Sequence, residues 1–127
     1  FERQLGNRQW AVINVDLDQF KLINDTHGHD AGDRILIAIT RHLEEQVRAA
    51  DAVVRSGGDE FILLLADGDE ARVQSLLARL RANMDTAPCR YSLGHALRHR
   101  GEPLADTVAR ADAEMYALRR AARGRMA

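Results

Sequence analysis

The stretch Ala52-Val53-Val54-Arg55-Ser56-Gly57-Gly58-Asp59-Glu60-Phe61-Ile62-Leu63-Leu64-Leu65 decides how the rest of the chain is read. Two β-rich apolar runs flank a Gly-Gly pair, the usual hairpin signal, because glycine adopts positive φ without steric cost. Asp59 and Glu60 stand at the mouth of the second run, and a turn built by glycine needs neither. Carboxylates held at a rigid hairpin, beside backbone N–H groups bare of any Cβ, suit a divalent metal and a phosphate. Taken alone, the stretch fits a plain hairpin with solvated charges equally well.

At 127 residues the chain is expected to be a single domain, 1–127, long enough to bury a core and fold unaided. It carries 18 basic and 19 acidic residues, a net charge of −1. That balance offers no broad basic field for nucleic acid or anionic lipid. Cys89 is the lone cysteine, which excludes an intramolecular disulfide and a cysteine metal cluster. No apolar run approaches membrane-spanning length, and no signal peptide is visible. The chain opens at Phe1, as expected of a piece excised from a longer polypeptide.

Working outward from the hairpin, Trp10-Ala11-Val12-Ile13-Asn14-Val15 reads as a mostly apolar strand ending at Asp16-Leu17-Asp18. A short helical piece from Gln19 to Asn24 breaks at Thr26-His27-Gly28. A long amphipathic helix is expected from Asp30, its N-cap, to Ala49, with Ile35, Ile39, Leu43 and Val47 as the apolar stripe. After the hairpin strands (Ala52–Arg55 and Phe61–Leu65), a helix from Glu70 to Met84 buries Val73, Leu76, Leu77 and Leu80. A strand from Arg90 to Leu97 follows. The last helix, Leu104 to Arg123, turns Val108, Ala111, Met115 and Leu118 inward. The order β-α-β-β-α-β plus a closing helix predicts an α+β domain. Its core is a ferredoxin-like antiparallel sheet with helices on one face. In such a sheet the Asp16 end of the first strand approaches the Gly57–Glu60 turn. Asp16, Asp59 and Glu60 would then repel strongly unless a cation neutralised them, and their hard oxygens suit Mg²⁺ or Mn²⁺.

A second constellation runs from Asp16 to Asp33. Lys21 offers a point charge for phosphate, and Asn24 offers amide donors and acceptors for a base edge. Gly28 and Gly32 permit close backbone approach to a ligand, and Asp33 is placed to accept from N–H groups of guanine. Each of these residues also fits a polar, capped helix start. His27 and His29 are expected in polar loop roles, Trp10 and Phe20 in the core.

Gly57-Gly58-Asp59-Glu60-Phe61 resembles the signature of the GGDEF domains, the diguanylate cyclases. The Asp16–Asp33 stretch is similar to that family's D-x-D-x-F-K-x-x-N-D-x-x-G-H-x-x-G-D pattern, in order and spacing. Tyr91-Ser92-Leu93-Gly94-His95-Ala96 and Ala111-Asp112-Ala113-Glu114-Met115-Tyr116 resemble two later family blocks, so the likeness covers nearly the whole chain. It implies a polymerase-palm-like cytoplasmic domain that binds GTP and pairs as a homodimer to make cyclic di-GMP and pyrophosphate. Carried over by position, Asp16, the carbonyl of Leu17 and Asp59 would hold Mg²⁺ (or Mn²⁺). Asp59, with support from Glu60, would help deprotonate the attacking hydroxyl, and Lys21 would stabilise phosphate charge. Asn24 and Asp33 would recognise guanine, while Gly57 and Gly58 would lie against the nucleotide. Arg119 and Arg123, in a basic run reaching Arg125, fall where the family contacts triphosphate.

Arg48-Ala49-Ala50-Asp51 matches the family's R-x-x-D, which implies an inhibitory cyclic di-GMP site; the same residues fit a helix C-terminus and a turn. The family's opening D-x-L-T-x-L-x-N-R segment has no counterpart, which predicts weaker nucleotide affinity and dimer positioning. Arg119, Ala122 and Gly124 replace the usual Lys, Gly and Asn. The alternative to an enzyme is a module that binds cyclic di-GMP or GTP, or docks a signalling partner, with little turnover.

Overall fold

The run from Trp10 to Leu17 is apolar at nearly every position because both faces of its strand are covered. In the computed structural model of the chain, which describes residues 9–126, it forms β1 (Ala11–Leu17). The chain continues through α1 (Phe20–His27), α2 (His29–Gln46), β2 (Ala52–Arg55), β3 (Glu60–Leu65) and α3 (Glu70–Ala82). A 3-10 turn (Met84–Thr86), β4 (Tyr91–Leu97) and α4 (Leu104–Met126) complete it. Phe1 and the side chain of Arg125 lie outside the described residues.

The four strands form one antiparallel sheet in the order β2-β3-β1-β4, the α+β arrangement expected from the element order. Ala11, Ile13, Val15 and Leu17 point to one face with Leu63, Leu65, Tyr91 and Leu93. There they pack against Phe20, Ile39, Leu43, Val73, Leu77 and Leu80. Trp10 and Val12 point the other way with Leu64 and Ala96, and meet Ala111 of α4. The helices therefore occupy both faces, not one, because α4 crosses to the face that the other helices leave bare. Gly94 permits that crossing. A Cβ there would stand 2.1 Å from the Ala111 carbonyl oxygen and 2.7 Å from the Met115 nitrogen. On the same face Asn14 donates to the Val108 carbonyl at 3.3 Å.

Several local expectations are corrected. All four residues of the expected α2 stripe meet the core, Ile39 and Leu43 buried, Ile35 and Val47 partly so, but Val47 lies just past the helix end and the fully buried set also takes in Gly32 and Leu36. Steps of four drift off one face of a 3.6-residue helix, whereas alternating steps of four and three stay on it. Gly28, at φ 90°, is the N-cap of α2, and Asp30 sits inside the first turn without capping it. That position still favours an acidic side chain next to the helix dipole. Leu118 is exposed; at this turn of α4 it is Arg119, the next residue, that reaches the sheet. Gly57 and Gly58 do not take positive φ; among the described glycines only Gly28 and Gly101 do. The hairpin is instead closed by a wider loop, in which Ser56 and Gly57 both donate to the Glu60 carbonyl, at 2.9 and 3.3 Å.

Candidate active site

Register decides what stands beside what at the end of β1. Asp16 is paired with Glu60 on β3 and with Ser92 on β4, and residues directly opposite in an antiparallel sheet point to the same face. Glu60, Asp16 and Ser92 thus form a row across the sheet on the side covered by α4. The hairpin loop is tied to the same place, since the Leu17 N–H donates to the Asp59 carbonyl at 2.9 Å. Arg55, which sequence reasoning passed over, holds the loop from outside. Its guanidinium donates to the carbonyls of Gly57 at 3.0 Å and Gly58 at 2.9 Å.

Arg119 of α4 lies over this row. Its Nη1 donates to Asp16 Oδ2 at 3.0 Å, its Nη2 to Asp18 Oδ1 at 3.2 Å and its Nε to Ser92 Oγ at 3.0 Å. Ser92 Oγ in turn donates to Asp18 Oδ1 at 2.7 Å. Burial pushes the Asp16 carboxyl above its ordinary range, with Asp59 and Asp18 adding to the rise and Arg119 opposing it. Glu60 is raised for the same reason, burial first and then the charges of Asp16, Asp59 and Asp112. Burial is the foremost cause of both shifts, and Arg119 is the cation that opposes them.

These observations bear on a metal. Among the described residues no three His, Cys, Asp or Glu side chains surround a common point closely enough to enclose an ion. The expected three-carboxylate cluster is looser than a cage: Asp16 and Glu60 stand on paired strands, while Asp59 belongs to the loop before β3. Mg²⁺ does not require a cage; it is commonly held by one or two carboxylates, with waters and substrate phosphates completing the octahedron. Asp16, with a guanidinium already standing in as its cation, and the neighbouring Asp59 fit that pattern.

The base-reading candidates sit at the junction of α1 and α2. Lys21 and Asp33 are exposed and Asn24 is half-buried. Gly32 is buried, and a Cβ on it would fall 1.8 Å from Asn24 Oδ1. This glycine serves the close approach of the two helices and the placing of Asn24. Arg123 is exposed, one turn beyond Arg119.

The Arg48–Asp51 pair is divided by the structure. The Asp51 side chain is fully enclosed. It accepts from the Arg48 N–H at 2.8 Å and the Ala66 N–H at 2.9 Å, and forms an ion pair with Arg72. Arg48 is exposed, and with Arg72 and Arg79 it lines a polar pocket of about 250 Å³. Arg72 and Arg79 lie on α3, far along the chain, so no local pattern pointed to them.

The fold and this cluster define a class. The family model described as "Diguanylate cyclase, GGDEF domain" matches residues 1–125, and the chain belongs to the GGDEF family. It is 31% identical over 128 residues to the probable diguanylate cyclase DgcC of Escherichia coli, covering 94% of this chain and 34% of that protein. It is 35% identical over 141 residues to diguanylate cyclase DgcP of Pseudomonas aeruginosa, covering 98% and 20%. Among solved structures, diguanylate cyclase SiaD in complex with its activator SiaC from P. aeruginosa superposes with a TM-score of 0.83 at 33% identity, over 94% of this chain and 49% of that one. The GGDEF domain of DgcB from Caulobacter crescentus in complex with c-di-GMP gives 0.81 at 26% identity, over 94% and 77%. The chain spans about a third of DgcC and a fifth of DgcP. No helix among the described residues is long and apolar enough to cross a membrane.

Proposed function

We propose that this domain condenses two molecules of GTP into cyclic di-GMP with release of two pyrophosphates, each of two paired domains presenting one GTP to the other. The observation that carries this reading is the row formed by Glu60, Asp16 and Ser92, with Asp59 beside it and Arg119 over it. In each half-reaction a 3′-hydroxyl oxygen bonds to the α-phosphorus of the partner GTP. The bond from that phosphorus to the bridging oxygen breaks, and pyrophosphate leaves with the electron pair. Mg²⁺ held by Asp16, the Leu17 carbonyl and Asp59 would supply charge neutralisation for the phosphates and acidify the hydroxyl. Asp59 takes the hydroxyl proton, and Glu60 supports the acidic site. Lys21, Arg119 and Arg123 bind the triphosphate charge, and Asn24 and Asp33 orient the guanine. Gly57 and Gly58 keep the loop free of Cβ atoms where the nucleotide lies. Neither domain holds both reactants, so pairing supplies the proximity.

The expected result is Mg²⁺-dependent pyrophosphate release from GTP, lost in Asp59→Ala. If the domain in its natural sequence context yields no cyclic di-GMP at high protein concentration, the cyclase reading fails.

A second reading, a module that binds cyclic di-GMP with little turnover, is favoured by the pocket shared by Arg48, Arg72 and Arg79. On either reading Arg48 grips phosphate or guanine there, and Asp51 holds the turn that aims it. In the cyclase this would be the site of product inhibition. SiaD's pairing with an activator makes a protein partner a reasonable expectation for this domain as well. Arg48→Ala should weaken cyclic di-GMP binding by tenfold or so with the fold intact; unchanged calorimetric affinity would count against the site.

A further inference from the structure

We infer that Asp18 and Ser92 are positioning residues for Arg119, and that Arg119 holds the place of the divalent cation on Asp16 until metal and triphosphate arrive together. The inference rests on the GTP-site reading above and adds to it a device for the unliganded domain.

The Arg119 guanidinium is anchored on two sides, by Ser92 and by Asp18. Ser92 Oγ takes Nε at 3.0 Å and Asp18 Oδ1 takes Nη2 at 3.2 Å. The 2.7 Å bond from Ser92 to Asp18 locks the two anchors to each other. Only the remaining edge, Nη1, reaches Asp16 Oδ2. The side chain can therefore give up Asp16 without leaving the site. A guanidinium suits the task because its planar fork satisfies several acceptors at once and stays protonated at any working pH. A lysine ammonium there is a single point with no fork to divide.

The need for such a group follows from burial. The Asp16 side chain is 14% exposed and has Asp18, Asp59 and Glu60 as neighbours. A half-buried carboxylate among like charges requires compensation even before a ligand arrives. Arg119 supplies it, and so competes with free metal for the same oxygen. A divalent ion arriving alone must displace that hydrogen bond and repel a fixed cation. Arriving with a triphosphate, it brings the phosphate oxygens to which the freed Nη1 can turn. Metal and nucleotide should therefore bind with positive coupling, and binding of either strengthens the other by the same factor.

The test measures Mn²⁺ affinity by calorimetry and electron paramagnetic resonance, first without nucleotide and then with a non-hydrolysable GTP analogue. Without nucleotide, Arg119→Ala should bind Mn²⁺ roughly tenfold tighter than the parent, because a unit charge has gone from beside the ion. Ser92→Ala changes no charge and leaves the fold's burial intact; it should bind about two- to threefold tighter as the anchor loosens. Arg119→Lys should fall between the parent and Arg119→Ala. The gain in Mn²⁺ affinity on adding the analogue should be larger in the parent than in Arg119→Ala. Equal Mn²⁺ affinity in the parent, Arg119→Ala and Ser92→Ala overturns the inference and leaves the cyclase reading standing. Failure of every variant to bind Mn²⁺, with or without the analogue, overturns the metal site itself and the inference with it.

Discussion

Arg48 and Asp51 stand three residues apart and answer differently to removal. Asp51 is enclosed and accepts from two backbone N–H groups and from Arg72. Asp51→Ala strands that arginine against buried backbone and should cost about 3 kcal/mol, seen as a lowered midpoint in urea. Arg48→Ala removes an exposed side chain and should stay within about 0.5 kcal/mol of the parent. Glu102 makes a similar case with a pH signature. It accepts from Arg110 at 2.6 and 2.9 Å, from Thr107 at 2.7 Å and from the His99 N–H at 3.1 Å. These bonds, those of Arg110 foremost, hold its carboxyl far below the ordinary 4.5. A depressed carboxyl stabilises the fold above its unfolded pKa, and that stability is lost as pH falls through the folded value. Glu102→Gln should therefore cost about 2 kcal/mol at pH 7. The gap from the parent should close as the pH drops below 4.5, which denaturant titration at several pH values would read.

Two glycines govern how elements meet. Gly94 lies under α4, and the obstacle to a Cβ there is backbone that cannot rotate away. Gly94→Ala should push α4 off the sheet at a cost of about 3 kcal/mol, and carry Arg119 away from Asp16 with it; thermal denaturation measures the first effect and Mn²⁺ binding the second. Gly32 presents the opposite case, because the obstacle is the Asn24 amide, the end of a side chain with rotamers to spare. Gly32→Ala should cost less stability, about 1 kcal/mol, yet swing Asn24 aside and raise KM for GTP more than it lowers kcat. A parallel fall in kcat and stability with KM unchanged would show that Asn24 does not read the base. Helix existence and the buried face of α3 were legible from periodicity, and so was the inner face of α4 as far as Met115, but not at Leu118. The α2 stripe was legible too, but it left out Leu36, because steps of four and steps of three and four look alike over short spans.

For the molecule as a whole, activity should scale with pairing. Specific turnover of the proposed cyclase should rise with domain concentration until dimers saturate, as mass action requires. Concentration-independent turnover down to nanomolar protein would argue against a reaction shared between two domains.

The sequence by itself determined the strand and helix order, and hence the sheet. It also determined the meeting of Asp16 with the Gly57–Glu60 hairpin, because alternation, turn chemistry and the order of four motifs are all local or ordered signals. Only the tertiary structure decided the pairing of Arg119 with Asp16. That residue lies 103 positions from Asp16, and α4 brings it back across the sheet to a face no local pattern specifies. The same holds for Asp51, which reads as half of a ligand site or as a turn residue until Arg72 folds over it. Both outcomes are set by charges that meet through packing, and a charge's partner in space leaves no periodicity along the chain. The hairpin's acidic pair and Arg119 were both visible in the sequence; the contact of Arg119 with Asp16 was not.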